Sequence, residues 1–255
     1  MKLEICVDSV ESAIAAARGS AERIELCSAL SEGGITPSNG LIAAVRKAVS
    51  IEVFIIIRPR GGDFVYSDHE FEVMRDDIRR ARELGVDGVV LGLLTEEGTV
   101  DIARTRSLIE EARPLGVTFH RAFDVTFNLD RALEDVIACG ADRVLTSGGE
   151  INAARGSERI AKLCRAAQGR IKIMAGGGIR QSNVSNLVMH TGVCEVHTSL
   201  GVKVASPARH TGVHAKIGSH VEEFSRFLVS EQDVRKFKTT LLAIPSGTEQ
   251  KVSVE

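Results

Sequence analysis

The sequence predicts an α/β fold, a single-domain (β/α)8 TIM barrel, because short apolar strands alternate regularly with amphipathic helices. Eight segments typical of strands begin near residues 3, 23, 52, 88, 116, 143, 171 and 195. A helical pattern follows each one and is delayed only after the eighth. Strict alternation favours a parallel sheet, and eight units of roughly 27 residues suit a closed barrel. The alternative, an open doubly wound sheet, would normally carry a glycine-rich fingerprint after strand 1, and residues 6–10 contain no glycine.

Turns and caps give these elements their boundaries. Glycine just beyond a helix adopts the left-handed conformation without a Cβ penalty, which predicts helix-to-strand turns at Gly19, Gly85, Gly140 and Gly192. Helix starts are marked by capping side chains. Ser67 with Glu70 forms a capping box, while Asn128 and Ser230 open two further helices.

The barrel domain is expected to cover residues 1–244. Residues 201–229 contain glycines and histidines with little apolar periodicity, which predicts a long loop after strand 8 that lies over the barrel mouth. Residues 245–255 are expected to form a flexible C-terminal tail.

Composition excludes several classes of partner. The 255 residues are 44% hydrophobic and 26% charged, with a formal net charge of -2 and mixed signs, so neither nucleic acid nor a membrane surface is expected. We find no secretory signal pattern, and no apolar run approaches the roughly 20 residues of a membrane span. Five cysteines without CxxC spacing are typical of reduced thiols in a cytoplasmic protein.

Side-chain alternation along the strands predicts a polar barrel interior. The residues expected to face inward are Glu4, Cys6, Asp8, Glu25, Cys27, Arg58, Thr118, His120, Glu195, His197 and Ser199. Each buried charge without a partner costs several kcal/mol, so these residues must pair with one another, coordinate a ligand, or do both. His120 is the candidate acid or base, and Glu4 or Glu25 is its candidate partner or a divalent-metal ligand. An internally paired ion network is the structural alternative.

Two glycine-rich segments at strand ends predict an anion site. Arg58-Pro59-Arg60-Gly61-Gly62 interrupts strand 3, and Gly176, Gly177 and Gly178 follow strand 7. Backbone amides after strand 7, beside strand 8, form the usual phosphate position of such barrels. The predicted anion-binding residues are Arg58, Arg60, Gly176, Gly177, Gly178 and Ser199. A tight turn and a solvated loop are the alternatives.

Five segments of the chain resemble one family. They are RIELCSALSEGGITPS (23–38), RPRGGDFVYSD (58–68), VTFHRAFD (117–124), RVLTSG (143–148) and AGGGI (175–179). Together they closely resemble the copper homeostasis protein CutC family. The resemblance implies a cytosolic TIM barrel that binds Cu(I) and forms a homo-oligomer, a dimer or a tetramer. The chain has no signature of an organic cofactor.

The resemblance also singles out a candidate metal ligand. Cys27 falls within a family segment, and Cys6 has the same inward parity on the adjacent strand. Two thiolates suit soft Cu(I). His210, His214 and His220 receive no role. Two other classes remain open: an enzyme that acts on a small phosphorylated or carboxylated metabolite at the mouth, with an undefined reaction, and a non-catalytic binding or scaffold protein.

Overall fold

A closed barrel of eight parallel strands forms the centre of the computed structural model, which describes residues 1–209 and 224–245. The barrel strands are β1 (Lys2–Val7), β2 (Arg23–Leu26), β3 (Glu52–Ile56), β4 (Gly88–Leu91), β5 (Gly116–Phe119), β6 (Arg143–Thr146), β7 (Lys172–Ala175) and β8 (Glu195–Thr198). The predicted (β/α)8 barrel is confirmed. Each strand begins within one residue of its predicted start.

Eight α-helices accompany these strands in the described part of the chain. They are α1 (Val10–Arg18), α2 (Asn39–Ala48), α3 (Asp68–Glu83), α4 (Ile102–Ala112), α5 (Leu129–Cys139), α6 (Ser157–Ala167), α7 (Val184–Thr191) and α8 (Glu231–Leu242). Short 3-10 turns at Leu30–Glu32 and Arg121–Val125 lie after β2 and β5. The apolar core lies between strands and helices, where outward side chains such as Leu3, Ile24 and Val89 are fully buried.

The predicted caps are present. The Ser67 hydroxyl accepts from the Glu70 N–H, and the Glu70 carboxylate accepts from the Ser67 N–H, which completes the capping box. The Asn128 and Ser230 side chains likewise cap α5 and α8.

Three of the four predicted left-handed glycines have positive φ, namely Gly85, Gly140 and Gly192. The prediction for Gly19 was wrong, because its φ is -76° and the next residue, Ser20, has the positive φ instead. Gly19 is needed for a different reason. Its Cβ would lie within 2.6 Å of the Val234 side chain, so glycine lets α1 approach α8.

The segment expected to be a long loop begins and ends in strands. β9 (Gly201–Ala205) and β10 (Ser225–Val229) pair antiparallel, and the Val229 N–H donates to the Ser12 hydroxyl of α1. His210, His214 and His220 lie outside the described residues, as does the predicted tail from residue 246. Within the described ranges, no helix combines the length and apolarity that a membrane crossing requires.

Glycine in β4 makes room for an aromatic ring in the lumen. A Cβ on Gly88 would overlap the Phe54 ring, whereas a Cβ on Gly40 in α2 would have Ser38 Oγ, 4.0 Å away, as its nearest neighbour. We therefore expect Gly88→Ala to lower the free energy of unfolding by about 1–3 kcal/mol through overpacking. Gly40→Ala is the control and should be neutral or stabilising by up to about 1 kcal/mol. Urea unfolding followed by circular dichroism measures both, and equal stabilities for the two variants would contradict the overlap.

Candidate metal centre

An ion network fills the lower lumen. Arg23 is fully buried; its Nη2 donates to Glu195 Oε2 at 2.6 Å, and its Nε pairs with Glu4. Arg143 Nε lies 3.0 Å from the same Glu195 oxygen. Both guanidinium carbons lie about 5 Å from the centre of the Phe54 ring. The internally paired network, one of the two sequence interpretations, therefore accounts for this level of the barrel.

Two thiols lie above this network. Cys6 points inward from β1 and Cys27 from the end of β2, and their sulfur atoms are 3.7 Å apart. Their exposures are 9% and 1%. The loop after β2 folds over them: Gly34 has a φ of +89°, and a Cβ there would lie 3.2 Å from Cys27 Sγ. Glycine thus lets the loop backbone close over the thiols.

Nitrogen and oxygen donors adjoin the thiols. His197 of β8 forms a 2.7 Å contact from Nδ1 to Glu4 Oε1, and its Nε2 lies 3.6 Å from Glu25 Oε2. The potential ligand atoms of Cys6, Glu25 and Cys27 all lie within 4.8 Å of one another, and so do those of Glu4, Glu25 and His197. Among the described residues there are therefore two sets of potential metal ligands, one of them with two sulfur atoms, and Glu25 belongs to both.

Hydrogen bonding gives the two thiols different acidities. The bond from Cys27 lowers the pKa of the Cys6 thiol to about 6 against the effect of burial, and His197 contributes in the same direction. The same bond, together with burial, raises the pKa of Cys27 well above its usual range. Cys6 is accordingly the more acidic of the two thiols, and the shifts favour it over Cys27 as the thiolate.

The acidic and imidazole neighbours are also perturbed. Burial, and then the Cys6 thiolate, raises the pKa of Glu25. Burial would also raise the pKa of Glu4. The Arg23 charge and the His197 contact outweigh burial and lower the pKa of Glu4 to about 2. Burial opposes protonation of His197, yet contacts with Cys6 and Glu4 raise the pKa of its ring. These shifts favour the carboxylate form of Glu4, the protonated ring of His197 and the neutral form of Glu25.

The predicted anion-binding residues are only partly brought together. Arg58 is buried and lines a cavity at the barrel mouth, whereas Arg60 lies outside it and pairs with Glu70 and Asp63. The difference arises because Arg58 continues the inward parity of β3, while Arg60 lies in the loop that leads to α3.

The three glycines after β7 also differ in whether they line the cavity. Gly176 does not line the cavity; its N–H donates to Thr146 O, and its missing Cβ leaves space for Leu145. Gly177 and Gly178, with φ of +93° and +67°, do line the cavity. Ser199 is exposed at the same mouth.

Sequence reasoning missed a junction between two loops. The Asp124 carboxylate accepts from the N–H groups of Ser147 and Gly149 at 3.0 and 3.1 Å, and it pairs with Arg121 Nε at 2.7 Å. This carboxylate joins the loop after β5 to the loop after β6. The signal in the sequence was the acid that ends VTFHRAFD, four residues after His120, which was already assigned to the site.

The mouth opens into a cavity of about 1150 Å³. Cys6, Glu25 and His197 line it on the side of β1, β2 and β8, and Arg58 and His120 line it from β3 and β5. The fold and this cavity define the class: a (β/α)8 barrel protein with a thiol-containing centre inside a polar lumen.

Comparison with known proteins identifies the family. The model of the CutC family matches residues 1–202. A family protein CutC of Chromobacterium violaceum is 47% identical over 240 residues, which cover 94% of this chain and 97% of the relative. The human copper homeostasis protein cutC homolog is 46% identical over 237 residues, covering 93% and 86%. The crystal structure of a Streptococcus agalactiae copper homeostasis protein CutC has a TM-score of 0.75 at 33% identity, covering 78% of this chain and 98% of that one. This chain belongs to the CutC family, as its sequence segments predicted.

Removing Arg23 should be far more costly than removing an exposed arginine. Arg23→Met leaves Glu4 and Glu195 buried without their shared cation, and we expect a loss of about 3–5 kcal/mol in the free energy of unfolding. Arg80→Met is the matched control, because the Arg80–Glu83 pair is 62% exposed on both sides and should cost at most about 1 kcal/mol. Urea denaturation measures both variants, and similar losses would contradict the role assigned to Arg23.

The Cys6 thiolate should be visible in a pH titration of thiolate ultraviolet absorbance. In the wild type we expect a transition with a midpoint near the pKa of Cys6, about 6. Cys6→Ser should abolish it, and Cys27→Ala should move it upward because the hydrogen-bond donor is lost. Cys27→Ser retains a hydroxyl donor and should shift it less. A wild type without a transition below pH 8, which is about the lower bound for an ordinary thiol, would refute the assignment.

Proposed function

We propose that this chain is a cytoplasmic Cu(I)-binding protein and that Cys6 and Cys27 are the ligands. The single observation that carries the proposal is the buried sulfur pair at 3.7 Å. Metal–thiolate bonds of about 2.3 Å, the value for zinc, let one ion contact two sulfurs up to about 4.6 Å apart. One metal ion can therefore reach both thiols.

The donor chemistry fits a soft ion. Thiolates favour Cu(I) over harder divalent cations, and the lowered pKa of Cys6 supplies one thiolate near neutral pH. Copper in this proposal is the cargo. Relatives named as copper homeostasis proteins agree with this interpretation.

The neighbouring residues have separate tasks in the proposal. Cys27 must release its proton to bind, so the affinity should rise with pH. Glu25, whose carboxylate lies within 4.8 Å of both sulfur atoms, is close enough to accept that proton or to join the ligand set. Met174 is not assigned as a ligand, because its sulfur accepts from Arg23 Nη2 at 3.2 Å within the ion network.

Assembly as a dimer or tetramer belongs to the same proposal. Val125, Phe127 and Ile151 are apolar side chains with exposures of 61%, 87% and 76%, and contact between copies would cover such surface. Light scattering of the purified chain decides the oligomeric state.

Chelator competition for Cu(I) tests the ligands. Cys6→Ser and Cys27→Ser should each weaken Cu(I) binding by at least a hundredfold, because a hydroxyl does not replace a thiolate for a soft ion. A hundredfold loss corresponds to about 2.8 kcal/mol of binding free energy. Cys194→Ser, at an exposed cysteine, is the matched control and should bind as the wild type does. Unchanged affinity in both lumen variants would exclude the thiol pair as the copper site.

A further inference from the structure

Two buried hydrogen-bond donors at the mouth have no acceptor among the described residues. They are His120 Nε2 and Arg58 Nε, which find no partner in the part of the chain that the structure describes. Both side chains are 5% exposed, and both line the cavity. Neither takes part in the thiol centre. Buried polar groups in folded proteins are nearly always hydrogen-bonded, so two such donors on side chains that line one cavity require an explanation.

The histidine is held as a donor by its surroundings. His120 Nδ1 accepts the N–H of Ala122 at 3.1 Å, which places the ring proton on Nε2. The neighbouring strand β4 leaves room for the ring, because the residue after it is Gly92, on which a Cβ would lie 2.6 Å from Nδ1. Burial, and then the Arg58 charge, lowers the pKa of His120 to about 3. The ring is therefore neutral at physiological pH, with its one N–H directed away from β4.

Among the described residues, no carboxylate pairs with the buried cation of Arg58. Arg58 Nη1 donates to the carbonyl oxygens of Glu32 and Gly34, and Nη2 donates to that of Gly62, at 2.7 to 2.9 Å. Within residues 1–209 and 224–245, no acidic side chain forms an ion pair with it. Arg23 and Arg143, the other buried arginines of the lumen, each pair with Glu195. Carbonyl groups satisfy hydrogen bonds but do not neutralise a buried charge, and an unpaired buried charge is costly.

An aromatic ring joins the two donors into one site. The centre of the Phe64 ring lies 5.0 Å from that of His120 and 5.1 Å from the guanidinium carbon of Arg58. Phe64 also lines the cavity. A cation, a neutral N–H donor and an apolar face thus meet at one place.

We propose that Arg58 and His120 bind the carboxylate or phosphate group of a small molecule in this cavity, with Phe64 against its apolar part. An oxyanion accepts hydrogen bonds without donating any, and it supplies the negative charge that Arg58 lacks. A neutral alcohol could accept the hydrogen bonds but would not supply the negative charge. The proposal goes beyond copper binding and does not depend on it, because Arg58 and His120 follow the ends of β3 and β5, whereas the thiols belong to β1 and the end of β2.

The test measures how strongly anions bind to the purified full-length chain. Inorganic phosphate and succinate are the two probes, each titrated at constant ionic strength by isothermal calorimetry and by thermal shift. At least one should bind saturably, and the tighter probe distinguishes phosphate from carboxylate recognition. The decisive variant is His120→Asn, whose side-chain oxygen replaces Nδ1 as the acceptor for Ala122 while the Nε2–H donor is lost. It should bind the anion about tenfold or more weakly.

Matched controls separate this site from general charge effects. Arg58→Lys keeps the charge but loses the planar guanidinium with its several donors, so it should also weaken anion binding. Arg60→Lys, in the same loop but outside the cavity, should bind the anion as the wild type does. His190→Asn, at an exposed histidine paired with Glu158, should bind as the wild type does. If Arg58→Lys does not fold, His120→Asn decides alone. Absence of binding by both probes at tens of millimolar, or wild-type binding by His120→Asn, would overturn the proposal. The copper proposal would be unaffected in either case.

Discussion

Charge balance around Arg23 is the constraint on which the barrel interior depends. A guanidinium with no solvent exposure is tolerable only because two carboxylates, Glu4 and Glu195, share it. Glu4 then has one oxygen left for His197, and His197 in turn lies beside Cys6. The acidity of a thiol near the mouth is therefore connected, through two intervening side chains, to a cation at the bottom of the lumen.

The upper lumen is divided between two kinds of chemistry. The contiguous strands β8, β1 and β2 carry thiols, carboxylates and a charged imidazole, whereas β3 and β5 carry a cation and a neutral N–H donor. Gly34 lies between the two sides: its carbonyl accepts from Arg58, and a Cβ added to it would lie 3.2 Å from Cys27 Sγ. The polar interior predicted from side-chain alternation thus consists of a paired network below and two unlike surfaces above.

Much of this arrangement follows from sequence, and the remainder depends on loops. Alternation within the strands is a local property, so it placed Glu4, Cys6 and Glu25 inside correctly; the same parity would have placed Arg23 there too. Arg60 was grouped with Arg58 because they are near neighbours in sequence. Its direction is set by contacts with Glu70 and Asp63, which depend on the path of a loop. The tautomer of His120 is likewise fixed by the turn after β5, and no pattern of residue types contains that information.

The thiol centre combines the two ends of the barrel domain. Both cysteines lie within the first 27 residues, whereas His197 comes from the last barrel strand, and the pairing of β1 with β8 brings Glu4 beside His197. During synthesis on the ribosome, the two sulfur donors emerge long before the imidazole that helps to set the acidity of one of them. A nascent chain accordingly has the two thiols before it has His197, and the centre is complete only once β1 pairs with β8.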